Sequence, residues 1–161
     1  MHLGPIDKEK YREFACGLFA EANKTLNPNV IDELYKRFEG VTWYMQKTLN
    51  AMFGLPNESL EYGLNEMEEA IRNIIESNYF TYAEKMVQLP EKQKELLLAI
   101  NREGKATKIT SVNFVKRHKI YSTSTVQSAC NGLLDKELIT ETNGVYSVYD
   151  KFFDIWLREN Y

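Results

Sequence analysis

The sequence predicts a mainly α fold in two parts, and three observations carry that reading. Apolar residues recur at helical spacing along nearly the whole first half, beginning with Tyr11, Phe14, Ala15, Leu18 and Phe19. Leu89-Pro90 then marks a joint near the middle of the chain. Beyond it, three helical periods are followed by two alternating β-prone runs around Asn143-Gly144, a strong hairpin signal. The expected organisation is a helical, lid-like bundle over residues 1–88 and a second domain over residues 89–161. Three helices followed by a small two-stranded hairpin is the winged-helix order, an elaborated helix-turn-helix whose third helix is the recognition helix.

Each element has its own warrant. Asp7 can cap a first helix running to Asn23, and Asn27-Pro28-Asn29 breaks it. Val30, Leu34 and Phe38 share one face of a second helix that stops at Gly40. A third runs from Thr42 to Phe53, with Tyr44, Met45, Thr48, Leu49 and Met52 in register, and Gly54-Leu55-Pro56-Asn57 ends it. Ser59 is placed as the cap of a long fourth helix to about Ser77, with Leu60, Leu64, Met67, Ile71, Ile74 and Ile75 inward. Helix continues from Tyr79 to Gln88.

In the second half, Pro90 suits the first turn of a helix through Arg102 that buries Leu96, Leu97 and Ile100. Ser111 to His118 is the next helix, with Val112 and Val115 inward. Ser122 or Thr123 caps the third, to Lys136, with Val126, Ala129, Cys130, Leu133 and Leu134 inward. Leu138–Glu141 and Val145–Val148 form the hairpin. Asp150 caps a last helix, Lys151 to Glu159, carrying Phe152, Phe153, Ile155, Trp156 and Leu157.

Composition narrows the function classes. Hydrophobic residues make 43% of the chain and charged residues 27%, a globular mix. No apolar run is long enough to span a bilayer, and the first residues lack the basic and apolar regions of a secretory signal, so a cytoplasmic location is expected. Cys16 and Cys130 make neither a disulfide framework nor a zinc site and read as buried structural thiols. Two histidines leave little for metal or histidine-based catalysis. The phosphate loop, the dinucleotide fingerprint and the nucleophile elbow are all missing from the sequence. No catalytic residue, metal ligand or cofactor is assigned to this chain.

Charge is unevenly placed. Residues 1–88 hold nine basic and fourteen acidic residues, a net −5, whereas residues 89–161 hold eleven and nine, a net +2. Between Arg102 and Lys119 six cations face Glu103 alone, a net +5. Lys116, Arg117 and Lys119 therefore become candidate phosphate contacts, with His118 read as a surface member of the run. If the third winged-helix helix buries its apolar side, it presents Thr123, Ser124, Gln127, Ser128 and Asn131, short polar side chains that reach base edges or phosphates. A different reading makes this a solvated face of a protein-interaction element, because the helix offers no arginine and the wing carries Glu141. The acidic cluster Glu58, Glu61, Glu66, Glu68 and Glu69 reads as a solvated helix face, and Trp43 and Trp156 as core packers.

Tyr121-Ser122-Thr123-Ser124-Thr125-Val126, Leu133-Leu134-Asp135-Lys136-Glu137-Leu138-Ile139 and Tyr146-Ser147-Val148-Tyr149-Asp150-Lys151-Phe152-Phe153, closing in Trp156-Leu157-Arg158, follow one another in a definite order. They resemble the winged-helix end of a family of prokaryotic AAA+-like ATPases, the archaeal-type, STAND-related ATP-binding proteins also abundant in Bacteroidetes. Leu3-x-Pro5-Ile6, Phe14, Phe19 and Phe38-Glu39-Gly40-Val41-Thr42-Trp43-Tyr44-Met45-Gln46 are similar to the helical lid after that family's nucleotide-binding core. The resemblance covers nearly the whole chain. It implies the C-terminal region of an ATPase whose Walker elements would precede Met1, with ATP and Mg bound only by that core.

Gly40, Thr42, Trp43, Tyr44 and Lys47 are then the candidate lid or core-docking residues. Thr42 stands where such lids often carry a proline near the adenine, so the helix beginning at Thr42 would supply any nucleotide contact, and Lys47 is its one cation. The implied partners are duplex DNA and the parent's own ATPase core. Two other function classes stay open: a free-standing winged-helix transcription regulator that dimerises through residues 1–88, and an interaction or autoinhibitory module without DNA affinity, exposing Trp43, Tyr44 and Phe53.

Overall fold

The computed structural model describes residues 5–161, so Leu3 lies outside the described residues. The chain divides into two compact units, through Ser77 and from Asn78 onward.

In the first unit, α1 (Lys8–Glu21) opens on Asp7, whose carboxylate accepts from the Lys10 amide at 3.1 Å. It buries Tyr11, Ala15 and Phe19, a single ridge at four-residue spacing. Phe14 and Leu18, expected in the same stripe, stay exposed, because the main partners of α1, the strand and helix that follow it, with Phe53 and Tyr62 against Phe19, cover one ridge. The chain reverses at Asn23, in the left-handed region, into β1 (Thr25–Leu26). Then come α2 (Asn29–Phe38), α3 (Thr42–Phe53), β2 (Glu61–Tyr62) and α4 (Leu64–Ser77). Val30, Ile31, Leu34, Met45, Met52 and Met67 fill the core, all fully buried.

The fourth helix begins later than Ser59. Asn57 Oδ1 accepts from the Ser59 amide, Ser59 Oγ accepts from the Glu61 amide, and Leu60 takes a left-handed conformation at φ 59°. That local turn competes with helix. It delivers β2 to β1 as a parallel pair, with Thr25 opposite Glu61 and Leu26 opposite Tyr62. Glu66 then accepts from the Gly63 amide at 3.0 Å and starts α4. The first half is therefore not helical throughout, and Leu60 and Leu64 are exposed instead of core.

The second unit contains α5 (Tyr79–Gln88), α6 (Glu91–Glu103), β3 (Ala106–Thr107), α7 (Val112–Arg117), α8 (Thr123–Asp135), β4 (Ile139–Thr142), β5 (Val145–Val148) and α9 (Lys151–Asn160). The joint expected at 88/89 moves to Ser77/Asn78 because α5 packs inside this unit. The Tyr82 ring lies 5.1 Å from Phe153 and 5.7 Å from Trp156, and Tyr79 lies 5.8 Å from Trp156. Leu89-Pro90 turns between two helices of one core. The hairpin forms around Asn143 (φ 52°) and Gly144 (φ 78°), both left-handed as a primed turn requires. The sheet has a third strand: β3 adds to β5, with Ala106 opposite Tyr146 and Thr107 opposite Val145, giving the antiparallel order β3-β5-β4. Two residues are too few for an alternation to show in sequence. Among the described residues no helix is long and apolar enough to cross a membrane.

Candidate nucleic-acid interface

The geometry of the polar surface on the second unit begins at α7. Ser111 Oγ accepts from the Phe114 amide at 3.1 Å and starts the helix. This short helix anchors through Phe114, not Val112: Phe114 is buried, Val112 is exposed and Val115 is half-buried. After Arg117 the chain reverses through Lys119, left-handed at φ 56°, and the Ile120 amide donates to the Val115 carbonyl at 2.9 Å. Ile120 is buried, Tyr121 projects, and Ser122 Oγ accepts from the Thr125 amide to cap α8.

Helix α8 buries Val126, Ala129, Cys130 and Leu133, the spacing of one helical face. Thr123, Ser124, Gln127, Ser128 and Asn131 are consequently all exposed on the other side. Gln127 and Asn131 are one turn apart, and the Gln127 amide donates to Asn131 Oδ1 at 3.5 Å. The face carries hydrogen-bonding groups of both kinds and no charge.

Lys116, Arg117 and Lys119, just ahead of α8 in the chain, are exposed. Arg117 Nη1 lies 3.2 Å from Glu103 Oε1, whereas no ion pair among the described residues reaches Lys116 or Lys119. His118 is not a surface member of this run. Its side chain is 8% exposed, Nε2 sits 2.7 Å from the same Glu103 oxygen, and the ring packs 4.6 Å from Phe114. The last turn of α7 points it inward, so Glu103 ties α6 to both Arg117 and His118. The wing adds no cation, and Glu141 closes its own turn by accepting from the Gly144 amide at 2.5 Å.

Sequence reasoning passed over two residues here. Tyr121 is 84% exposed, and the Lys92 ammonium from the first turn of α6 lies 5.6 Å from its ring centre. The available signal was position: Tyr121 is the one large apolar residue directly ahead of the cap, between a core residue and Ser122.

The thiol of Cys130 lies behind α8. Burial pushes it up, and a hydrogen bond with Tyr146 of β5 opposes that shift. Cys16 is half-buried, not buried, with its thiol directed at the Leu26 carbonyl at 3.7 Å; burial pushes it up and the Arg12 charge opposes.

In the first unit the candidate lid residues separate into two groups. Gly40 is buried at φ 74°, where an added Cβ would stand 2.8 Å from Pro5 Cβ and 3.0 Å from the Tyr35 ring, so glycine is required. Tyr44 is also core: it is 9% exposed and stacks on Phe38 at 5.3 Å, which removes it from the docking surface. Thr42 is exposed at the start of α3. Trp43 is 57% exposed, with Lys47 one turn on holding its ammonium 4.9 Å from the indole centre. Trp43 is thus no core packer, while Trp156 is. Phe53 sits edge-on to Phe19, and the Lys24 ammonium lies 3.9 Å from its ring. On the acidic helix, Glu68 pairs with Arg37 and Glu66 caps α4. The described residues hold no group of three or more His, Cys, Asp or Glu placed to bind a metal.

Residues 80–159 match a family described as a probable winged helix domain, and the second unit is a winged-helix domain. The chain is similar in fold to a Walker-type ATPase of Pyrococcus abyssi, with a TM-score of 0.66 and 16% identity over 96% of this chain and 42% of that one. The chain thus spans less than half the length of that ATPase chain. No curated protein matches the sequence.

Proposed function

We propose that this chain is the C-terminal regulatory region of an ATPase and that its winged-helix unit binds duplex DNA through α8. The observation that carries the reading is the outward face of that helix: five exposed polar side chains, with the unpaired, exposed cations Lys116 and Lys119 a few residues ahead of them in the chain. Groups of that size and chemistry suit base edges, and flanking ammonium groups suit phosphates. The likeness to an ATPase chain, and the resemblance of the first half to a lid, support an ATP-hydrolysing parent whose core lies outside this sequence. ATP and Mg would bind that core. Lys47, the one cation of α3, is engaged over Trp43, an arrangement that fits packing against a protein surface better than gripping a phosphate. Regulation would then mean that the core's nucleotide state and DNA each favour one arrangement of the same protein. A cytoplasmic location follows from this reading.

A second reading has its own observation. The exposed Trp43–Lys47 pair suits an interaction or autoinhibitory module that docks on the core without touching DNA.

Fluorescence anisotropy of the chain with a mixed-sequence duplex separates the two. Two or three phosphate contacts imply roughly a 10- to 40-fold loss of affinity between about 50 and 200 mM salt. Changing Lys116, Arg117 and Lys119 together to Glu should abolish binding. Absence of binding at the lower salt overturns the DNA reading and leaves the docking module.

A further inference from the structure

Resting on the DNA reading, we infer that Tyr121 and Lys92 form one contact with the duplex at the leading end of α8: the Tyr121 ring lies against a sugar and base edge, and Lys92 meets the adjacent phosphate. A tyrosine 84% exposed, between buried Ile120 and the capping Ser122, contributes almost nothing to the core. Its neighbours hold the backbone from which it projects. The Ile120 amide donates a hydrogen bond to the Val115 carbonyl and Ser122 caps Thr125, so the backbone that carries the ring is held on both sides. In helix-turn-helix docking the N-terminal residues of the recognition helix are those that meet base edges.

The electrostatic surroundings agree. Lys92 reaches the ring from α6, and Lys119 lies two residues before it. Lys92 also lies 3.6 Å from Glu95, an exposed pair within one turn that a phosphate can displace. An ammonium over an aromatic face that is itself open to solvent offers a polyanion both a charge and a flat apolar surface. Lys92 belongs to α6 and Tyr121 precedes the capping Ser122, so this contact would add residues outside α8 to the footprint.

The test compares Tyr121→Ala, Tyr121→Phe and Lys92→Ala with the unaltered chain, using the same duplex and a salt series. Tyr121→Ala should bind about tenfold more weakly with an unchanged salt slope, as for loss of a ring contact. Tyr121→Phe should stay within about twofold, since the ring is what is used. Lys92→Ala should lower the salt slope by about one. Thermal melts should coincide for all, because Tyr121 is outside the core. If Tyr121→Ala binds like the unaltered chain while the Lys116, Arg117 and Lys119 changes abolish binding, the DNA reading stands and this contact is wrong. If the unaltered chain binds no duplex, the DNA reading itself fails and takes the contact with it.

Discussion

The two units use short strands in opposite ways. In the first, β1 and β2 are parallel and come from segments separated by two helices, so their pairing depends on the whole unit being in place. In the second, β4 and β5 are joined by a two-residue turn whose residues already favour the needed conformation. Helix starts do not separate the units in this way. Asp7, Ser111, Ser122 and Asp150 cap helices with their side chains, so both units have locally capped helices, and α3, α5 and α6 begin without such a bond at the cap. One strand pair is specified by local chemistry, the other by packing at a distance. The surfaces of the units divide too: the first exposes an indole, the second a polar helix face.

The two tryptophans provide the largest expected contrast. Trp156 is 3% exposed among Tyr82, Phe153 and Tyr79, and Trp156→Ala should cost about 3–5 kcal/mol in urea unfolding followed by circular dichroism. Trp43→Ala should fall within about 0.5 kcal/mol. A large loss at Trp43 would break the distinction between a core and a docking aromatic.

Glycine gives the next contrast. Gly40 and Gly144 have similar left-handed φ values, but only Gly40 is crowded. Gly144→Ala should cost roughly 1–2 kcal/mol for backbone alone. Gly40→Ala should exceed it, because Pro5 and Tyr35 must also move; equal losses would show that the crowding relaxes freely. Asp150→Ala should remove about 1 kcal/mol by deleting a cap that accepts from both Phe152 and Phe153 amides.

The smallest expected effects are opposite pH trends. Burial pushes the Asp154 carboxyl up, a shift that the Asn101 hydrogen bond and the Arg158 and Lys151 charges only partly oppose. Its stabilisation is full below the ordinary carboxylate pKa and is lost as pH rises through the raised folded value. For Asp32, desolvation acts upward, but the hydrogen bond and charge of Arg12, helped by Lys8, outweigh it and the carboxyl sits below its usual value. Its stabilisation is present above the ordinary pKa and is lost as pH falls through the lowered one. Asp154→Asn should flatten the first dependence and Asp32→Asn the second, measured as midpoints of thermal unfolding across the acid range. If both variants flatten the same side, the two carboxylates share one environment and the contrast is wrong.

The same contrast explains what sequence could reveal. The winged-helix order was legible because its caps and its Asn143-Gly144 turn are local. The exposed set Thr123, Ser124, Gln127, Ser128 and Asn131 followed from the apolar spacing of the buried set. His118 was misplaced because its direction depends on Glu103 and Phe114, neither of which a charge run reveals. The α1 stripe was read too wide, since periodicity shows which residues can be buried and only the neighbours decide how many are. Strands of two residues leave no pattern, so β1, β2 and β3 were all invisible. Tyr44 and Trp43, adjacent in sequence, could not be sorted into core and surface until the Phe38 ring was placed beside one of them.

The parallel pair in the first unit also has a consequence for how that unit breathes. The Thr25 amide donates to the Leu60 carbonyl and the Asn27 amide to the Tyr62 carbonyl, each at 2.8 Å. Both bonds join segments on either side of the α2–α3 excursion, and neither is part of a helix ladder. Their deuterium uptake therefore reports separation of those segments, while helix amides report fraying of single helices. Two backbone protons serve as an internal gauge of the first unit's opening, readable residue by residue without altering a side chain.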